Sequence, residues 1–259
     1  MTQLALLILL AGAAGGFTAG LFGVGGGLVI VPTLYFLWRD DPVLGAQAMH
    51  FAVATSLACV VVTSVTSSWT HWRAGRLQLS KLGWLAAAVS VGSVLAVWVA
   101  SWASTSWLRA GFGLFAALTC LSMLWQQASE VRVEMPARPE LLGAGAFIGH
   151  VSTLLGVSGG AMTVPYLVSR GVDVRHAVVV SSAIAMPISL IGAIGLGIIG
   201  PPNDQTWGYV HVWAFLGISA ASMLFATWGA RLSQRIDRRL LQKLFAAFLG
   251  LVALNMFLG

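Results

Sequence analysis

Residues 16–32 read Gly-Phe-Thr-Ala-Gly-Leu-Phe-Gly-Val-Gly-Gly-Gly-Leu-Val-Ile-Val-Pro, and residues 149–165 read Gly-His-Val-Ser-Thr-Leu-Leu-Gly-Val-Ser-Gly-Gly-Ala-Met-Thr-Val-Pro. The two stretches align without a gap at an offset of 133, with identities at Gly16/Gly149, Leu21/Leu154, Gly23/Gly156, Val24/Val157, Gly26/Gly159, Gly27/Gly160, Val31/Val164 and Pro32/Pro165. The helix after each also corresponds, at an offset of 131, pairing Ala52 with Ala183 and Ala54 with Ala185. Matching at a fixed period marks a duplicated chain. Inside each copy a cluster of glycines interrupts an apolar run, and each glycine disfavours helix by about 1 kcal/mol relative to alanine.

The surroundings of these breaks are a bilayer. Of 259 residues, 58% are hydrophobic and 8% charged, and the mean hydropathy is +0.87. A soluble domain carries about 25% charged residues, so this chain lacks the polar surface to face water. Stretches such as Leu82 to Ala100 are apolar on every face, which argues against the polar–apolar alternation of a membrane β-barrel. Cys59 and Cys120 lie in apolar segments, where a reduced thiol acts as a small hydrophobe. The opening Met-Thr-Gln-Leu has no basic region and no cleavage site follows, so the first apolar stretch is expected to be retained.

Apolar segments run over Leu4 to Phe22, Leu28 to Trp38, Leu44 to Ser68, Leu82 to Ser101, Leu108 to Trp125, Leu141 to Val157, Ala161 to Val168, His176 to Ile199, Val210 to Gly229 and Leu240 to Leu258. The second and seventh are too short to span. Tryptophans near segment ends, among them Trp38, Trp69, Trp72, Trp102, Trp107, Trp207 and Trp228, are expected at the membrane interface. Residues 1–126 form a first repeat, 127–139 a cytoplasmic linker and 140–259 a second repeat.

Basic residues orient the halves. If each glycine-broken segment returns to its own side as a hairpin, Arg73, Arg76, Lys81, Arg132, Arg138, Arg170, Arg175, Arg231, Arg235, Arg238, Arg239 and Lys243 share the cytoplasmic side, and only Arg39 and Arg109 lie outside. Single crossings would instead put the Arg231 to Lys243 cluster outside, against the positive-inside rule. The expected fold is therefore an all-α polytopic membrane protein of two inverted-topology repeats, each a re-entrant broken-helix hairpin plus about three transmembrane helices.

In lipid an unwound backbone survives only where it is buried in protein or lines a wet cavity, so both breaks are expected to face one internal site. Helices restarting near Leu28 and Ala161 would aim free N–H groups and the positive end of the helix dipole at it. Two such ends suit a small anion. Thr55, Ser56, Thr153, Ser158, Thr163, Ser181 and Ser182 are candidate hydroxyl donors; the competing view is that they bond back to their own helices. His50 and His150 are ionisable and well inside apolar segments, which makes them candidates for proton coupling against a purely packing role. His71, His176 and His211 fall at loops or segment ends and are expected at the interface. The acidic residues all lie in loops or at segment ends, which argues against cation transport. Walker A, HExxH and Cys/His ligand clusters do not occur, and Gly156-Val-Ser158-Gly-Gly160, which has the GxSxG spacing, has no plausible acid partner, so no catalytic residue, metal or cofactor is assigned.

The paired Gly-x-Gly-Gly-Gly and Gly-x-Ser-Gly-Gly breaks ending in Val-Pro, each followed by an Ala-rich helix with Ala54-Thr-Ser-Leu57 in the first copy, resemble the TauE/SafE family of sulfite and sulfonate exporters, also called the 4-toluene sulfonate uptake permease family. The resemblance covers essentially the whole chain. It implies a multi-pass carrier of the cell inner membrane that moves small sulfur-containing anions such as sulfite and sulfoacetate, with export as the expected direction. Carried over by motif, Gly23, Gly25, Gly26, Gly27, Gly156, Ser158, Gly159 and Gly160 surround the anion, and Thr55 and Ser56 join them. Met186-Pro187 stands where the second copy would have the Thr-Ser pair, so Ser181 or Ser182 is the substitute. The partners implied are the anionic substrate and the lipid bilayer, not nucleic acid. A proton or sodium gradient and a homodimer are compatible with the residues, as are an anion channel and a non-transporting assembly component.

Overall fold

A computed structural model describes residues 2–22, 25–73, 79–125, 137–201, 204–233 and 238–258. Among these residues ten α-helices follow in order: α1 Thr2–Phe22, α2 Gly27–Trp38, α3 Ala48–Arg73, α4 Leu79–Ala100, α5 Thr105–Trp125, α6 Arg138–Leu155, α7 Gly160–Ser169, α8 Val174–Ile199, α9 Val212–Ser233 and α10 Arg238–Leu258. A 3₁₀ turn, Gly45–Gln47, precedes α3. A two-stranded antiparallel ladder, β1 Thr206–Trp207 with β2 Val210–His211, precedes α9.

The helical state is dictated more by solvent than by propensity. Both short helices are rich in β-branched residues, as in Leu28-Val-Ile-Val31, which favour strands in water. With no water to take up backbone groups, helix is the conformation that satisfies them within one segment. Among the described residues, four helices are long and apolar enough to cross a bilayer: α3, α4, α8 and α9. The apolar part of α10 is shorter, Ala246–Leu258, because its first turns are basic. Large apolar side chains such as Trp98, Ile198 and Leu224 stand on the outer surface, as lipid contact requires.

The duplication is built into the packing. Gly12 and Gly16 of α1 lie against α9, where a Cβ on Gly12 would stand 2.8 Å from the Ile218 Cα and one on Gly16 would collide with the Ser222 backbone. At the same offset of 133, Gly145 of α6 meets Leu85 and Ala88 of α4, and Gly149 meets Val89. Leu85, Ala88 and Val89 are themselves the counterparts of Ile218, Ala221 and Ser222. Small residues four apart let membrane helices approach this closely. The first helix of each half thus packs on the fourth helix of the other, and neither half holds its core alone.

Contacts also fix how the helices run. Gly12 to Ile218 and Gly16 to Ser222 place α1 parallel to α9, and the Gly145 and Gly149 contacts place α6 parallel to α4. The pair α3 and α8 is antiparallel, with the Ser68 hydroxyl donating to the Ser182 carbonyl at 2.9 Å and the Leu57 side chain beside Gly192. So is α5 with α10, through Cys120 with the Ala246 carbonyl and Gly113 with Met256. Both cysteines are free thiols, as expected.

Two ends of the bundle follow. At one, His50 Nε2 lies 3.1 Å from the Ala100 carbonyl, the Thr105 hydroxyl donates to the Ala46 carbonyl at 2.8 Å, and Arg109 reaches the Tyr35 hydroxyl. At the other, the Tyr166 hydroxyl donates to Glu140 at 3.0 Å, Arg170 pairs with the same carboxylate at 2.8 Å, and Arg138 stacks over Trp84. Glu140 opens α6 and Arg170 follows α7, so the second broken segment ends where it began. In the first, Gly26 sits against the Gly15 carbonyl, seven residues back from the end of α1, so this chain also turns back. The Glu140 end carries Arg73, Arg138, Arg170 and, in the last turn of α9, Arg231, while Arg39 and Arg109 lie at the Trp38 end. Most of the expected linker, 127–136, and the basic positions Arg76, Arg132 and Arg235 lie outside the described residues.

Candidate substrate site

The second break is built by a helix stop. Gly156 ends α6 in the left-handed region at φ 69°, its N–H bonds the Thr153 carbonyl at 3.3 Å, and the Val157 N–H bonds the Ser152 carbonyl at 3.0 Å. This is a Schellman ending, which glycine allows because it has no Cβ to strain. In the first break Gly25 is likewise left-handed, at φ 76°. Gly23 lies outside the described residues.

Both helices restart from glycine caps, α2 from Gly26 and α7 from Gly159, one residue earlier than the sequence suggested. Neither cap residue has a side chain to bond the first-turn amides. Those turns are buried at Gly27, Leu28, Gly160 and Ala161. The Gly26, Ser158 and Gly159 carbonyls accept the Val29, Ala161 and Met162 N–H groups respectively, which leaves Gly27, Leu28 and Gly160 as first-turn donors without an acceptor among the described residues. Pro32 and Pro165 stand at the sixth position of each helix, where a missing N–H also leaves the Leu28 and Ala161 carbonyls without their helical donor.

The two breaks meet. A Cβ on Gly25 would collide with the Ser158 hydroxyl, and one on Gly27 would stand 2.5 Å from the Gly156 carbonyl oxygen and 2.9 Å from the Val157 Cα. Gly25, Gly26, Gly27, Gly156, Ser158, Gly159 and Gly160 are therefore gathered in one place. Ser56 belongs to it too, donating its hydroxyl to the Gly156 carbonyl at 2.8 Å. Its neighbour Thr55 accepts the His211 N–H at 3.0 Å. Adjacent residues of α3 thus fasten the second break and the α8–α9 loop. Ser181 is buried one turn from Ile184 on the α8 face whose Ile184 and Ile188 side chains cover Gly159. Ser182 points elsewhere, its hydroxyl bonding its own helix at Val179 and its carbonyl taking the bond from Ser68.

His50 and His150 occupy different surroundings. His50 is buried at the Trp38 end, stacked 5.0 Å from Tyr209, with its Nδ1 unpartnered. His150 is half-buried on α6, where its backbone N–H lies against Gly92 of α4.

One element was missed in the sequence. His211, expected at the interface, is 4% exposed and stacks 5.2 Å from Trp38, whose expected interfacial ring is covered in turn. The cause is the β1–β2 turn, which folds into the bundle: Gly208, at φ 54°, presses on Gly197, and the Tyr209 N–H bonds the Leu196 carbonyl at 3.2 Å. Burial holds the His211 pKa below its ordinary value, opposed by its own backbone and by the charge of Asp41. The signal available was the run Gly208-Tyr-Val-His211, too apolar for a solvated loop.

Two broken helices, buried glycine-capped N-termini and an apolar exterior are those of a multi-pass membrane protein, and its likeness to known proteins makes it a membrane transporter. The sulfite exporter TauE/SafE family model matches residues 8–256. The chain belongs to that family. A Haemophilus influenzae protein named "Probable membrane transporter protein" is 31% identical over 258 residues, covering 98% of each chain. A similarly named protein of Methanocaldococcus jannaschii is 25% identical, over 97% of this chain and 95% of its own. Another, YdhB of Bacillus subtilis, is 24% identical over 92% of this chain and 96% of its own.

Proposed function

We propose that the protein is a secondary active carrier of small sulfur-containing anions, sulfite and organosulfonates such as sulfoacetate, working as an exporter of the cell inner membrane. The observation that carries this is the meeting of two buried, glycine-capped helix N-termini at Gly25–Gly27 and Gly156–Gly160. Such ends bind an anion through backbone N–H groups and aligned peptide dipoles. The family description supplies the sulfur oxyanion.

Alternating access follows from two halves of opposite orientation. In support, α1 and α6 start at opposite ends of the bundle, and both broken segments return to the end they left. The gathering of Arg73, Arg138, Arg170 and Arg231 at the Glu140 end supports reading that end as cytoplasmic. His50 and His150 are the candidates for proton coupling.

Flux in proteoliposomes tests the proposal, with sulfite, thiosulfate, sulfate, sulfoacetate and taurine under imposed pH and sodium gradients. Saturable, uphill sulfite or sulfonate flux is expected, with loss of its pH dependence in His50→Ala or His150→Ala. Flux that only dissipates gradients would indicate a channel. Neither flux nor binding of any anion would reject transport of this class.

A further inference from the structure

The two breaks are matched in backbone but not in side chains. Thr163 stands on the first turns of α7 where α2 has Ile30, and Thr153 stands on the last turn of α6 where α1 has Gly20. Both threonines are buried, at 0% and 1% exposure, and neither hydroxyl has a hydrogen-bond partner among the described residues. The Thr163 hydroxyl is aimed into the break: it lies 3.7 Å from where a Cβ on Gly159, the cap of α7, would stand. The Thr153 methyl is turned to Gly192 of α8, 3.0 Å from a Cβ there. A buried hydroxyl without a partner loses its hydration for nothing, so most native structures avoid the arrangement. Other threonines on these helices do avoid it; Thr33 of α2 donates to the Val29 carbonyl at 2.7 Å. Nor are Ser56 and Thr55 equivalent, since each is engaged with a protein group.

Resting on the reading of the breaks as the anion site, we propose that Thr163 is its side-chain donor, so that the second break grips the ligand and the first contributes backbone alone. The ligand this site fits is a singly charged oxyanion. Every donor here is neutral, and the basic residues named above stand at the two ends of the bundle. The cost of drawing an ion out of water grows as the square of its charge, whereas its attraction to dipoles grows only in proportion, so a site of dipoles and hydroxyls favours a sulfonate or hydrogensulfite over a dianion such as sulfate.

Equilibrium binding to the purified full-length protein in nanodiscs, with methanesulfonate, sulfite and sulfate as probes, tests this. Methanesulfonate binds and sulfate does not at equal concentration. Thr163→Val weakens methanesulfonate about tenfold, the loss of one hydrogen bond, Thr163→Ser restores most of it, and Thr33→Val changes nothing. Because the hydroxyl is unpartnered without ligand, Thr163→Val leaves the thermal midpoint of the free protein unchanged or higher; a packing role would lower it and leave affinity alone. If Thr163→Val binds as wild type while Gly159→Leu does not, this assignment fails and the anion site stands. If sulfate binds as tightly as methanesulfonate, the charge argument fails. If the wild-type protein binds none of the three, both the assignment and the transport proposal fall.

Discussion

Adding one methyl group at Gly27 should separate the two breaks, whereas the same change at Gly159 should not. The Gly27 methyl would stand 2.5 Å from the Gly156 carbonyl oxygen and 2.9 Å from the Val157 Cα. Ordinary contact for a Cβ begins near 3.4 Å, so the backbones must part by several tenths of an ångström. Overpacking of this kind costs about 1–3 kcal/mol, offset by the roughly 1 kcal/mol that alanine gains over glycine in a helix. The net, about 0–2 kcal/mol, is the effect on folding to the state in which the breaks touch; the helix gain is shared by the open state, so the whole overpacking cost of about 1–3 kcal/mol acts on the closed–open equilibrium. At about 1.4 kcal/mol per tenfold, that shifts the equilibrium roughly fivefold to a hundredfold. At Gly159 the nearest atom is the tip of the Ile188 side chain at 2.7 Å, with the next at 3.7 Å. Rotation of that side chain relieves the clash, so Gly159→Ala stays near neutral. Sulfite flux in proteoliposomes and thermal melting in detergent, run on both variants, give the readout. Equal flux and equal melting temperature for Gly27→Ala and Gly159→Ala would refute contact between the breaks as a functional state.

Thr55→Val deprives the buried His211 N–H of its acceptor, a loss of about 1–3 kcal/mol; hydrogen exchange at residues 206–211 should rise, and Thr55→Ser should restore protection. Glu140→Gln removes the Arg170 ion pair at the mouth of the second hairpin; the pair is part-exposed, so less than about 1 kcal/mol is expected in melting, with faster exchange confined to α7. For His211, burial lowers the folded pKa, so below the unfolded value of about 6.5 the unfolded chain takes up a proton that the native loop resists. Stability should then fall as pH drops from 7.5 to 5.5, and His211→Gln should flatten that slope in a melting series.

The sequence made the helices and the breaks legible because in a bilayer hydropathy and glycine placement are both strong constraints. The match of Gly16 with Gly149 announced the duplication, and the same glycines turn out to sit on equivalent residues of α9 and α4. That interlocking was not legible, since nothing in Gly12 or Gly145 says which helix it will meet. The roles of the hydroxyls were also hidden. Ser56 and Thr55 looked like donors to an anion, yet three-dimensional placement gives Ser56 the Gly156 carbonyl and Thr55 the His211 N–H. Burial of Tyr209 and His211 depends on Gly208 and Gly197 approaching across a turn, a long-range fit that local composition does not encode.

Duplication gives this chain two equivalent breaks, but equivalence has been kept only where backbone geometry needs it. Gly26 and Gly159 cap in both halves, and Pro32 and Pro165 hold the same helical position. Side chains diverge: Ser56 faces the second break while Pro187 occupies its counterpart on α8, and Glu140, Tyr166 and Arg170 latch the second hairpin where the first has Leu7, Thr33 and Leu37. The second hairpin is thus tied at both its mouth and its tip, and the first at neither by these means. In the proposed alternating-access cycle similar backbones let the halves reach two related states, but those states need not be equal in energy. Unequal fastening biases the pair toward the arrangement in which the second hairpin is held, and loosening Ser56 should shift that bias without altering the amides of the proposed anion site.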